Sequence, residues 1–139
     1  MKKLLLPIDG SRRSKYTIEV VKEFYSSEEA EISILMVVPN AAVGSLRETY
    51  RAKEVTDLQK TAREVLEMLP KEIEGYQVKT ILRHGDPGEE IIHEARENHY
   101  DAIFMTRSSR GPLSKLGSVT TYVVRNASDQ NVFVLRDPV

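Results

Sequence analysis

The chain has 139 residues, 40% of them hydrophobic and 29% charged, which fits one ordinary globular domain and lies outside the compositions that stay disordered. Its 20 basic and 21 acidic residues leave a net charge of -1, so no global field draws the protein onto nucleic acid or anionic lipid. Cysteine is absent, which excludes disulfides, thiol nucleophiles and cysteine metal sites, and no apolar run approaches the roughly 20 residues of a membrane span.

The opening LLLPI is also too short for the apolar core of a signal segment. A cytoplasmic protein with neither membrane nor nucleic acid as partner is the expectation. Lys2 to Ile8 holds a continuous apolar run between two lysines and Asp9 and reads as a strand buried on both faces. Ser11 or Ser14 then caps a helix through about Tyr25, with Val20, Val21 and Phe24 on one face. Ile32 to Val38 is apolar and β-branched, ends at Pro39-Asn40, and reads as the second strand.

From about Leu46 to Leu69 the apolar positions Val55, Leu58, Ala62, Val65, Leu66 and Leu69 step by three and four, the spacing of one long amphipathic helix. Gly75 ends it, and Val78, Ile81 and Leu82 mark a third strand. Asp86, Pro87 and Glu89 form a helix start, with Ile91, Ile92 and Ala95 as the buried face. Asp101 to Thr106 reads as the fourth strand, Leu116, Val119, Val123, Val124 and Ala127 as a last helix, and Asn131 to Leu135 as the fifth strand. Strands alternating with helices imply parallel strands joined by right-handed crossovers, hence an open α/β sheet with helices on both faces, doubly wound, in a single domain spanning residues 1–139.

Ligands of such sheets sit beyond the carboxyl ends of the strands. Three segments lie there: Asp9-Gly10-Ser11, Val37 to Asn40, and Arg107 to Ser118. The last carries arginines, a lysine, glycines and hydroxyls leading into a helix, whose free N–H groups favour an anion. It reads equally as a solvated connector whose serines cap the helix. Asp9 can hold a ribose or base edge, or simply cap the following helix. His84, His93 and His99 show no metal-ligand spacing and read as surface residues. No nucleophile elbow or paired carboxylates beside a base appear, so catalytic residues are not assigned.

Four segments together resemble the universal stress protein family: LLLPIDGS, ILMVV, HGDPGEEIIHEA, and the pair DAIFMTRSS with GSVTTYVV. The resemblance covers nearly the whole chain. It implies an adenine nucleotide alpha hydrolase-like sheet in the order 3-2-1-4-5 and a homodimer formed through the last strand, Asn131 to Leu135. Many members of that family bind ATP, with Mg²⁺ as a possible companion, and their adenosine-holding positions match Asp9 and Val37. Their phosphate loop has the pattern G-x2-G-x9-G-[ST]. Its closing pair is matched by Gly117 and Ser118, followed by Val119 and Thr120, whereas Thr106 and Ser109 stand where the first two glycines belong. The stretch from Arg110 to Leu116 is also shorter than the pattern, by two residues.

The implied cofactor-binding set is Pro7, Asp9, Val37, Met105, Thr106, Arg107, Ser109, Gly117, Ser118, Val119 and Thr120, with Arg107, Arg110 and Lys115 able to replace lost backbone donors by charge. The reading this supports is a stress-response regulator that binds ATP or a related adenine nucleotide, with slow hydrolysis at best. The alternatives are a nucleotide-independent signalling or scaffold dimer of the same fold, and an enzyme acting on a small phosphorylated substrate.

Overall fold

A central strand with consecutive apolar residues must be covered on both faces, and the first strand carries such a run, Leu4 to Leu6. Leu4, Leu5 and Leu6 of β1 (Lys2–Pro7) are all fully buried. Because side chains alternate along a strand, Leu4 and Leu6 enter one hydrophobic layer and Leu5 the other. The computed structural model describes residues 1–39, 52–107 and 117–136.

The elements follow in the order β1, α1 (Arg12–Phe24), β2 (Ala30–Val38), α2 (Ala52–Met68), a 3-10 turn (Leu69–Ile73), β3 (Gln77–His84), α3 (Pro87–Glu97), β4 (Ala102–Thr106), α4 (Ser118–Asn126) and β5 (Asn131–Leu135). All strand pairs are parallel, and the sheet order is β3-β2-β1-β4-β5. The expected doubly wound topology is therefore the observed one. Residues 46–51, expected to begin the long helix, lie outside the described residues, as does Leu116 ahead of α4.

One layer joins Ile18 and Val21 of α1 and Ala62 and Leu66 of α2 to the β1, β2 and β4 side chains Leu4, Leu6, Ile32, Ile34 and Phe104. The opposite layer joins Ile91, Ile92 and Ala95 of α3 and Val123 of α4 to Leu5, Leu35 and Ile103. Each such fully buried aliphatic side chain contributes roughly 1.5–3 kcal/mol. The face of α1 matches the expected one at Val21 and departs from it at Val20, which is only partly buried. Ser14, Thr17, Ile18 and Val21 point inward, while Phe24 stays 54% exposed and meets Phe104 and Phe133 by ring edges.

Ser11 proves to be the cap of α1, its Oγ accepting the Arg13 N–H at 3.2 Å. Asp86 caps α3 by accepting the Glu89 N–H at 3.2 Å, with Pro87 at the first helical position. Helices α3 and α4 approach closely because Gly88 has no side chain: a Cβ there would lie 2.8 Å from Tyr122 Cδ1. Among the described residues no helix is long and apolar enough to cross a membrane.

Candidate functional site

In this topology the chain runs outward from β1 to β2 and β3, then returns to place β4 and β5 on the other side of β1. The reversal opens a crevice beyond the carboxyl ends of β1 and β4, between the two crossovers that leave in opposite directions. A cleft of about 510 Å³ lies there, a size usual for small-molecule sites. Pro7, Ile8 and Asp9 line it from the end of β1, Leu35 to Pro39 from the end of β2, and Met105 and Thr106 from the end of β4. Gly117 to Thr120 close it at the start of α4, and Leu58 of α2 and Ile91 of α3 form apolar walls.

Asp9 is positioned by a local turn. Its Oδ1 accepts the Ser11 N–H at 2.9 Å and the Ser11 hydroxyl at 2.6 Å, and Oδ2 lies 3.4 Å from Arg13 Nη2. The Ser11 hydroxyl thus donates to Asp9 while capping α1, so the carboxylate is fixed at the cleft mouth with more than half of its side chain exposed. Gly10 makes this turn possible. It has φ +82°, and a Cβ would sit 3.3 Å from Val65 of α2, so a side-chain-bearing residue is disfavoured by both backbone and packing.

Val37 offers its backbone rather than its side chain. Ile8 N–H donates to Leu35 C=O at 2.9 Å, and Gly85 N–H donates to Val38 C=O at 3.0 Å. Alternation along β2 therefore turns the N–H and C=O of Val37 toward β1, beyond the last paired residues of that ladder, Pro7 and Leu35. At the far wall, α4 begins at Gly117, which has no side chain to cap the first-turn N–H groups. Those groups, reinforced by the helix dipole, make that end of the cleft attractive to an anion.

Of the implied cofactor-binding set, Pro7, Asp9, Val37, Met105, Thr106 and Gly117 to Thr120 line this cleft. Arg107 is exposed and outside the lining, its N–H donating to Leu135 C=O at 2.7 Å as the β4–β5 ladder runs one residue further. Ser109, Arg110 and Lys115 lie outside the described residues. Sequence reasoning missed Arg13, Ser14 and Thr17, which line the cleft from α1. The available signal was polar residues on the inward face of an amphipathic helix. Thr17 Oγ1 lies 2.8 Å from Thr106 Oγ1 and 3.0 Å from Arg13 C=O, while Ser14 Oγ is buried without a hydrogen-bond partner among the described residues. A buried hydroxyl left unpaired costs about 1–3 kcal/mol, so Ser14 carries an unmet hydrogen-bonding demand in the wall of the cleft.

His84, His93 and His99 are exposed, and no cluster of three or more His, Cys, Asp or Glu residues suited to a metal occurs among the described residues.

A model of the universal stress protein family matches residues 1–136. Universal stress protein MJ0577 of Methanocaldococcus jannaschii is 27% identical over 154 aligned residues, covering 97% of this chain and 95% of the relative. The solved structure of MJ0577 superposes with a TM-score of 0.80 at 30% identity, covering 99% of this chain and 97% of its own. A family member from Arabidopsis thaliana with AMP bound superposes at TM-score 0.69 and 18% identity, covering 100% and 93%. A universal stress protein in complex with cAMP superposes at TM-score 0.67 and 16% identity, covering 96% of each chain. The full-length match and the shared sheet order lead to one assignment: this chain belongs to the universal stress protein family.

Proposed function

We propose that this protein is a stress-response regulator that binds ATP or a related adenine nucleotide in the cleft at the switch point. The observation that carries the reading is a convergence of three unlike groups on one crevice. They are the backbone edge of Val37, the carboxylate of Asp9, and the start of α4 at Gly117 and Ser118. A backbone N–H beside a C=O suits the donor–acceptor edge of adenine, a carboxylate accepts ribose hydroxyls, and a helix N-terminus takes phosphate. The three lie in the order in which those parts follow one another along a nucleotide. The AMP and cAMP complexes of the two structural neighbours support the same ligand class.

Mg²⁺ entering with ATP would be held chiefly by the phosphates and water, as is usual for this ion. The protein's own residues bind and orient. Asp9 is already fixed by Ser11, so little side-chain freedom is lost when a ligand engages it. The fold carries the signal onward through a homodimer joined along β5, whose outer edge has no neighbour in the sheet.

Calorimetric titration of the purified protein with ATP, with and without Mg²⁺, tests the reading. Saturable heat is expected, together with at least roughly tenfold weaker binding by Asp9→Ala, the effect of removing about one charge-assisted hydrogen bond. No heat up to millimolar nucleotide would overturn it. That result would favour the nucleotide-independent scaffold, a reading to which Thr106 gives some support, because its side chain stands in the cleft where the nucleotide-binding pattern has glycine.

A further inference from the structure

Thr106 is the departure from the family's loop pattern that the described residues include, and its hydrogen bonding fixes what it can offer a ligand. Thr17 Oγ1 makes two contacts, 3.0 Å to the carbonyl of Arg13 and 2.8 Å to Thr106 Oγ1. A carbonyl oxygen can only accept, so the single hydroxyl proton of Thr17 goes to Arg13. The contact with Thr106 is then a hydrogen bond only if Thr106 donates. Both protons are thereby committed within the protein, on a helix residue that is 1% exposed. What Thr106 Oγ1 still presents to the cleft is a lone pair.

An acceptor at this position discriminates by chemistry. A phosphate or carboxylate oxygen would meet it lone pair to lone pair, whereas a ligand hydroxyl could donate to it. Ser14 stands one turn before Thr17 on the same face of α1, lines the same cleft, and has a buried Oγ without a partner among the described residues. Along the sheet, Thr106 at the end of β4 lies between the Val37 edge of β2 and the start of α4. If the base occupies the first and phosphate the second, the part of the ligand above Thr106 is the sugar.

Resting on the nucleotide-binding reading above, we infer that Thr106 is a specificity-determining residue that accepts a ribose hydroxyl, with Ser14 beside it, so that this cleft selects a nucleotide with an intact ribose over its deoxy analogues. The threonine that breaks the glycine pattern thus redirects recognition toward the sugar.

The test is calorimetry on the full chain with AMP, 2′-deoxy-AMP and 3′-deoxy-AMP. The wild-type protein should bind at least one deoxy analogue roughly five- to tenfold more weakly than AMP, the ratio that one net hydrogen bond supports. Thr106→Val keeps the shape and removes the acceptor; its preference for AMP over the deoxy analogue should fall roughly five- to tenfold below that of the wild type, leaving only what Asp9 contributes. Thr106→Ser keeps the hydroxyl and should retain the preference. Equal wild-type affinity for all three nucleotides would overturn the inference and leave nucleotide binding intact, as would a preference that is undiminished in Thr106→Val. Failure of every nucleotide to bind would instead overturn the reading on which the inference rests, and the inference with it.

Discussion

Glu94 is 3% exposed, and a carboxylate so placed needs partners for its oxygens. Arg83 Nη1 at 2.9 Å, Asn98 Nδ2 at 2.8 Å and the Tyr100 hydroxyl at 3.0 Å supply them, tying α3 to the edge strand β3 and to the approach to β4. Burial, reinforced by the neighbouring Glu94 charge, pushes the Tyr100 phenol up from 10.0 to about 12. The folded state therefore holds this proton more tightly than the unfolded chain. Its contribution is complete below the ordinary value of 10.0 and is lost as pH rises through about 12.

Urea titrations across that alkaline window should show the wild-type protein losing roughly 1–2 kcal/mol more stability than Tyr100→Phe, which has no proton to lose. Parallel losses would disprove the assignment. None of this network could be read from the sequence. There Glu94 is one charge among His93, Arg96 and Glu97, and only its burial in the fold against Asn98 and Tyr100 distinguishes it.

The strands were the most legible elements, because β1, β2 and β4 are buried on both faces and so lack polar alternation. β3 was less distinct, since as an edge strand it carries exposed Gln77, Lys79, Thr80 and His84 among its apolar residues. On α1 the expected Val21 is fully buried and Phe24 sets its ring edge on Phe104, whereas Val20 is only partly buried and belongs to neither layer. The start of that helix borders the cleft, and there hydroxyls rather than methyls turn inward.

At the other edge, β5 presents Val134 at 37% exposure, with Val132, Phe133 and Leu135 only partly buried. A monomer would leave that edge open to unregulated pairing, and an isologous dimer would close it. Sedimentation at micromolar concentration should show a dimer, and Val134→Lys should raise the dissociation constant at least about tenfold, or 1.4 kcal/mol. A wild-type monomer, or a dimer indifferent to the lysine, would exclude β5 as the interface.

At the scale of the whole molecule, alternation of strands and helices was enough to place the cleft at the carboxyl ends of the strands, and resemblance supplied the sheet order that puts β1 beside β4. Asp9 could be singled out because it follows the first strand, and Val37 because the family resemblance marks its position. Thr17 and Ser14 could not, since what matters about them is a hydroxyl contact between residues 17 and 106 and an orphaned oxygen in the folded core. One ligand is proposed to span β2, β1, β4 and α4. Amide chemical-shift mapping of the isotope-labelled protein during addition of AMP tests that claim most directly. Saturable shifts are expected together at Ile8 to Gly10, Val37 and Val38, Thr106, and Gly117 to Thr120; no shift at millimolar AMP, or shifts centred on the far edge at β3, would contradict it.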